Sequence, residues 1–393
     1  MKTFPGAENP LHNSAAPHVL AVFGTRPEAV KLAPVVAALR AVPLVTDVAV
    51  TAQHREMLDQ VLRVFGLAPR YDLDLMRSRQ ELPDLTARIL RGLQPVLRSA
   101  RPGIVLVQGD TTTAFAAALA AFYHKIPIAH VEAGLRTGEK YSPWPEEANR
   151  RLVTVLADWH FAPTEQAAAN LRREGVPPER VHVTGNTVID ALLAVVQPGY
   201  IFQAAGLEEW LAAQTGRRLL LATLHRRENW ETMGGVCRAL RTALAEFPDT
   251  ALILPMHKNP VVRAALAETL GPAAEGPEER LLLCEPLDYA DFANLMARVY
   301  LIVTDSGGVQ EEAPSLGKPL IVARETTERP EIVARGGAVL AGATEEGVWP
   351  AIRRLLTDEA LYARMSAAGN PYGDGQAAGR IAAVLGRELL KPG

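Results

Sequence analysis

Tyr300-Leu301-Ile302-Val303-Thr304-Asp305-Ser306-Gly307-Gly308-Val309-Gln310-Glu311-Glu312 changes character twice in a short span. Leu301, Ile302 and Val303 are branched and apolar, as in a strand buried on both faces of a parallel sheet. The run stops at Thr304-Asp305, turns through Ser306-Gly307-Gly308 and enters the helix-forming Val309-Gln310-Glu311-Glu312. A strand, a glycine turn and a helix in that order aim free backbone N–H groups and the positive helix end at one spot, which suits a phosphate. Glu312, one turn later, does not suit an anion. Its carboxylate fits a sugar hydroxyl pair such as that of a ribose, and phosphate beside ribose indicates a nucleotide.

Outward from this segment the same rhythm repeats. Strand candidates in the first half are 18–23, 47–51, 104–107, 127–131, 159–162 and 180–183; in the second they are 218–224, 251–254, 280–284, 299–304, 319–322 and 338–340. Short apolar runs alternating with longer amphipathic stretches predict parallel sheets with helices on both faces. The expected fold is therefore α/β, with two Rossmann-like domains whose parallel sheets face each other across a cleft. A chain of 393 residues is long enough for two domains. The expected boundaries are a disordered tail at 1–17, a first domain at 18–196 and a nucleotide-binding domain at 197–370. Gln197–Gly216, with Pro198 and Gly199, reads as the linker. In such sheets ligands bind beyond the carboxyl ends of the strands, so the cleft is the expected site.

Composition narrows the partners. A hydrophobic fraction of 48%, a charged fraction of 22% and a net charge of −3 describe an ordinary globular chain without the basic patch that nucleic acid requires. Cys237 and Cys284 are far apart and lack C-x-x-C spacing, so neither a disulfide framework nor a zinc site is implied. No apolar run approaches a membrane span, and the first 17 residues lack the apolar core of a signal peptide. A cytoplasmic protein with no membrane partner is expected.

The strand ends carry the polar residues. After the first strand come Gly24-Thr25-Arg26-Pro27-Glu28, a capping box with proline in the first turn, then Lys31 and a helix that Pro34 should kink or shorten. Arg26 and Lys31 suit a diphosphate; a plain turn with a solvated lysine is the alternative. The spacing is not that of a Walker loop. Asp110, after the third strand, reads on its own as a helix N-cap. Glu132, flanked by His130 and Arg136, is less easily explained as core. Glu146 and Arg150 fall at i, i+4, where a surface ion pair is the ordinary explanation. Asp110, Glu132 and Glu146 would nevertheless converge at neighbouring strand ends, where mutual repulsion favours acid–base chemistry. In the second half His225 stands beside Arg226 and Arg227, as suits a leaving pyrophosphate, and His257 ends the next strand. Tyr289 or Phe292 fits stacking on a base and a core position equally well, and Arg329 adds a cation. Asp72 and Asp74 mimic a metal-binding pair in a Leu-rich stretch where the match is incidental. No H-E-x-x-H, cysteine cluster or G-x-S-x-G occurs, so metal hydrolysis and serine-type acyl transfer have no support.

Taken together these segments resemble the non-hydrolysing UDP-N-acetylglucosamine 2-epimerases of bacteria. The resemblance runs from Val19 to Gly386 and rests on ordered signatures: Phe23–Pro34, Thr51–Leu62, Gln108–Thr113, His130–Gly138, Ser142–Arg150, Gly185–Leu192, Thr304–Pro319 and Asn370–Gln376. It implies the GT-B architecture, with a C-terminal helix (376–388) returning to the first domain after a crossover at Asn370–Gly375. It implies reversible conversion of UDP-GlcNAc to UDP-ManNAc by anti elimination of UDP to 2-acetamidoglucal and re-addition to the other face, with no metal or nicotinamide cofactor needed. Ser306, Gly307 and Gly308 would then meet the diphosphate, Glu312 the ribose and Phe292 the uracil, with Arg26, Lys31, Arg150, His225 and Arg329 among the substrate contacts. Asp110, Glu132 and Glu146 would be the acid–base candidates, and His225 would neutralise or protonate departing UDP. A second UDP-GlcNAc as activator would involve Gln53, His54, Arg79, Arg226 and His257. Homodimerisation and a place in polysaccharide biosynthesis are further implications. The competing readings are a GT-B glycosyltransferase using a UDP-sugar, a hydrolysing 2-epimerase, an epimerase for a modified UDP-sugar and a non-enzymatic UDP-sugar sensor.

Overall fold

The computed structural model describes residues 17–52, 55–75, 80–226, 232–271 and 280–390. Residues 1–16 of the expected tail lie outside them. The chain forms two compact units, Met1–Ala194 with Tyr372–Gly393, and Val195–Pro371.

Among the described residues the first unit carries a seven-stranded parallel sheet. Its strands are β1 (His18–Phe23), β2 (Val45–Val50), β3 (Tyr71–Asp72), β4 (Ile104–Gln108), β5 (Ile128–Val131), β6 (Trp159–Ala162) and β7 (Val181–Val183), in the order β3-β2-β1-β4-β5-β6-β7. β2, β4 and β5 are buried along their whole length; β4 accordingly reads as an apolar run up to Gln108, whereas β2 also buries Thr46 and Asp47, and β5 buries His130. β3 was not expected: its two residues, paired with Ala49 and Val50, are too few to leave a periodic signal. The strand order reverses between β1 and β4, and the chain segments leaving these two strands approach closely. A Cβ on Gly24 would lie 2.1 Å from Thr51 Oγ1 and 2.6 Å from Thr113 Oγ1, so only glycine fits there.

The helix after β1 spans Arg26–Arg40 and starts with the expected capping box, Thr25 with Glu28. Pro34 does not shorten it. One backbone hydrogen bond is lost, but Leu32, Val35, Val36 and Leu39 bury the apolar face through that turn, and packing outweighs the local defect. The helix Ala377–Leu389 belongs to this unit and packs on Arg26–Arg40. The Asp190 carboxylate accepts the Ala377 and Ala378 N–H groups at 3.2 and 2.9 Å, satisfying the first turn of that helix.

The second unit carries a six-stranded parallel sheet among the described residues: β8 (Arg218–Thr223), β9 (Thr250–Pro255), β10 (Leu281–Cys284), β11 (Leu301–Thr304), β12 (Leu320–Val322) and β13 (Ala338–Leu340), ordered β10-β9-β8-β11-β12-β13. Its reversal lies between β8 and β11, where Thr223 pairs with Thr304. The segment read as a linker is instead built into this unit. It contains the helix Leu207–Ala213 with Trp210 buried, and Asp291 accepts from Tyr200 Oη at 2.9 Å and from the Gln203 and Ala204 N–H groups at 3.0 and 2.8 Å. Among the described residues no helix is long and apolar enough to cross a membrane.

Two buried histidines face each other across β5 and β6, where His130 pairs with His160. Burial pushes His130 down to about 4 and His160 down to about 3. Both are neutral in the fold, whereas an unfolded chain takes up protons below about pH 6.5. Their contribution is complete above pH 6.5 and is lost as pH falls towards the folded values. Between pH 6.5 and 5, unfolding free energy measured in urea should fall by about 1 kcal/mol per pH unit for each histidine, steepening from half the limiting slope at pH 6.5. A flat profile over that range would contradict the buried neutral pair.

Candidate active site

β4 and β5 are neighbours, with Gln108 opposite Val131, so Gly109-Asp110 and Glu132 leave the sheet side by side. Gly109 turns with φ +69°. Asp110 does not cap the next helix, as it was read to do. Thr111 occupies the extended position directly before the helix and accepts the Ala114 N–H at 3.0 Å. The Asp110 carboxylate is bound by Arg150 Nη2, and its carbonyl accepts from Asn149 Nδ2 at 2.9 Å. Arg150 also reaches Glu147 Oε2 at 3.4 Å, and not Glu146 as the i, i+4 spacing suggested. Glu147 is fully buried and needs a cation, while Glu146 stays half-buried at the helix start.

Glu132 has φ +62°, a left-handed conformation that costs a non-glycine residue about 1–3 kcal/mol. It turns the carboxylate towards three donors: Gln108 Nε2, Asn186 Nδ2 at 3.3 Å and Lys31 Nζ at 2.5 Å. Lys31, read as a diphosphate cation, is thus paired with Glu132. The residues that flank Glu132 in sequence go elsewhere. His130 Nε2 lies 2.8 Å from the Gly109 carbonyl, and the neutral ring donates there, bracing the turn that carries Asp110. Arg136 forms a bidentate pair with Glu174 at 2.7 Å and reaches Thr154 Oγ1 at 2.9 Å. Glu28 accepts from Thr25 and, at 2.7 Å, from Thr111 Oγ1, tying the ends of β1 and β4 together. Burial raises the Glu28 pKa, and these hydrogen bonds oppose the rise. Arg26 is half-buried at the start of its helix.

In the second unit β11 leads through Asp305 and Ser306 into the helix Gly307–Glu312, as its sequence predicts. Gln310, Glu311 and Glu312 are all buried. Gln310 Oε1 accepts from Thr327 Oγ1 at 2.6 Å, Glu311 pairs with Arg329 Nε at 2.5 Å, and Tyr289 Oη donates to Glu312 Oε1 at 3.4 Å. Arg329 is therefore bound to Glu311, and Tyr289 orients Glu312. Phe292 is half-buried on the helix Tyr289–Arg298. A Cβ on Gly307 would lie 3.6 Å from Arg226 Nη2, so Arg226, read with the activator residues, stands over the glycine turn. Asp305 is completely buried and accepts the backbone N–H groups of His225 and Arg226, each at 2.9 Å. His225 Nδ1 lies 3.2 Å from Asp305 Oδ1, and the ring stacks on His257 with centroids 6.4 Å apart. Loss of water around His225 lowers its pKa; Asp305 opposes this, and Arg226 and His257 add to it.

Sequence reasoning missed Gln108, Asn186, Glu147 and Asp305 as partners, and also Arg324, a buried cation that holds Glu328 down at about 2. Their common signal was position at or just beyond a strand end or helix start. Gln53, His54 and Arg79 lie outside the described residues. Asp72 and Asp74, the metal-like pair, are taken by Arg55, at 2.6 Å to Asp72 and 2.8 Å to Asp74. Among the described residues no group of three or more His, Cys, Asp and Glu is placed to hold a metal ion.

The model of the UDP-N-acetylglucosamine 2-epimerase family matches residues 37–386. A protein of that name from Yersinia pestis is 51% identical over 374 residues, which cover 93% of this chain and 98% of the relative. Its Bacillus subtilis namesake is 50% identical over 370 residues, covering 93% and 94%. The crystal structure of UDP-GlcNAc 2-epimerase from Neisseria meningitidis, bound to UDP-GlcNAc, superposes with a TM-score of 0.81 at 44% identity, covering 94% of this chain and 99% of that one.

Proposed function

The chain belongs to the UDP-N-acetylglucosamine 2-epimerase family, and from that premise we propose that it interconverts UDP-GlcNAc and UDP-ManNAc without hydrolysis. The observation that carries the proposal is the pair of carboxylates at adjacent strand ends, Asp110 and Glu132, each with its own cation. A carboxylate beside a cation is ionised and able to accept a proton, and a neighbouring cation that can withdraw tunes when it does so. The sequence of bond changes is an elimination. A carboxylate takes the C2 proton, the C2–H electron pair becomes the C1=C2 bond, and the C1–O pair leaves with UDP. UDP then adds back to C1 as a proton returns to the other face of C2.

In this scheme Asp110, Glu132 and Glu146 manage the proton. Ser306, Gly307 and Gly308 meet the diphosphate, with Arg26, Lys31, Arg150 and Arg329 as further substrate contacts, the cations moving from their present partners to do so. Glu312 takes the ribose hydroxyls in the orientation Tyr289 imposes, Phe292 lies near uracil, and His225 meets the leaving group. Arg226 and His257 remain candidates for a second, activating UDP-GlcNAc. We place the reaction in the cytoplasm, where thiols such as Cys237 and Cys284 persist unpaired, and its product in polysaccharide synthesis.

Incubation of UDP-GlcNAc with the enzyme in D2O, followed by NMR, should give UDP-ManNAc and deuterium at C2 of both sugars. Free ManNAc as the main product would indicate hydrolysis, and no exchange without an acceptor would indicate a transferase. Asp110→Asn or Glu132→Gln should lower kcat by about 10²–10⁴-fold, the usual worth of a general acid–base group, while UDP affinity changes little. A parallel fall in both would remove these residues from the chemistry.

We also propose a homodimer. In the first unit two packed helices expose apolar side chains towards their C-terminal ends, Phe122 and Tyr123 on one and Leu152 and Val155 on the other; Val155 is 82% exposed. Light scattering should give twice the chain mass for the wild type and the single mass for a Phe122→Asp/Val155→Asp variant. A monomeric wild type would refute the dimer.

A further inference from the structure

Asp305 is a buried carboxylate of the second unit that stands beside His225 and has no part in the scheme above. It follows β11, next to the residues that follow β8, and its own N–H donates to the Thr223 carbonyl at 3.2 Å. The Thr223 and Thr304 hydroxyls, 2.6 Å apart, fasten the two strand ends beneath it. Oδ2 accepts the N–H groups of His225 and Arg226 at 2.9 Å, and Oδ1 faces His225 Nδ1 at 3.2 Å. An ionised carboxylate only accepts hydrogen bonds, so Oδ1 can meet Nδ1 only if Nδ1 carries the proton. Nε2 is then the atom left for a ligand on a side chain that keeps 42% of its surface exposed.

We propose that Asp305 is a positioning residue that fixes His225 in the Nδ1–H form and supports its imidazolium, so that Nε2 gives a proton to departing UDP; this rests on the epimerase reading. Among the described residues, the charged and titratable groups facing the ring are Asp305, Arg226 and His257. Arg226 and His257 disfavour a second positive charge, and Asp305 is the anion that balances it. The doubly charged diphosphate draws a solvent proton onto Nε2 as it binds, giving the imidazolium; as the C1–O bond breaks, its electron pair goes to the phosphate oxygen, and the proton on Nε2 moves to that oxygen. The ring is left neutral, with Nδ1–H still on Asp305. On re-addition the proton returns to Nε2 as the C1–O bond re-forms. Asp305 itself touches neither sugar nor phosphate.

Replacement by asparagine separates this role from a structural one. The amide oxygen of Asp305→Asn can still accept the two backbone N–H groups, while its NH2 donates to Nδ1 and drives the proton to Nε2. The variant should keep UDP affinity within about two-fold and lose roughly 10²-fold or more in kcat, as in the known case of an aspartate behind a catalytic histidine. Nitrogen-15 NMR of the histidine rings gives a readout that stability does not move: Nδ1–H with bare Nε2 in the neutral wild type, inverted in the variant. In a His225→Gln background the asparagine change should add almost nothing to the kcat loss. Wild-type His225 in the Nε2–H form, or Asp305→Asn with kcat within about three-fold of wild type, would overturn the proposal. If the variant does not fold, the wild-type spectrum alone decides. Failure of the epimerase reading looks different: the wild type would leave UDP-GlcNAc unchanged, while the spectrum would still report the ring's pairing.

Discussion

Parallel strands bring all their carboxyl ends to the same edge of a sheet, and nearly every polar side chain with a chemical part here is placed by that constraint. In the first unit Thr25, Asp110, Glu132 and Asn186 come from the segments that follow β1, β4, β5 and β7. In the second, His225 and Asp305 follow β8 and β11, the two strands at which the order reverses. Residues distant in sequence meet because their strands are in register. Asp110 and Glu132 need no long side chains to be neighbours, because Gln108 and Val131 already are.

Bringing carboxylates to one edge creates the second problem, which is charge. Buried carboxylates are tolerated where donors and cations satisfy them. Asp110 has Arg150, Glu132 has Lys31 with two amides, Glu311 has Arg329, and Glu147 has Arg150 and Arg151. Asp305 instead uses backbone N–H groups and a histidine. Several cations expected from sequence to await a phosphate are thus held by carboxylates. A ligand bearing two phosphates would compete for them, so on the proposed reading substrate binding is an exchange of ion partners and not the filling of an empty charge pocket.

Much of the fold was legible because the central strands are buried on both faces and so read as continuous apolar runs. The capping box at Thr25 and Glu28 was equally plain, since both partners lie within one turn. β3 escaped because two residues carry no period, and the shortening expected at Pro34 did not occur because its local cost is outweighed by packing that only the tertiary structure reveals. The partners of the site residues were the least legible. The i, i+4 rule sees a single helix, so it offered Glu146 to Arg150; Asp110, forty positions away, became visible only once β4 and the helix start were set side by side. Asp305 read as the end of a strand, and its link to His225, eighty positions earlier, depends on which strands are neighbours.

The central claim is that UDP leaves C1 and returns while C2 is inverted. It is tested most directly with UDP-GlcNAc carrying oxygen-18 in the bridge between C1 and the β-phosphorus. If UDP departs, its terminal phosphate can rotate before re-addition, and the label should spread to the non-bridging β-phosphate oxygens of recovered UDP-GlcNAc and UDP-ManNAc. Epimerisation with the label retained wholly in the bridge would contradict the account.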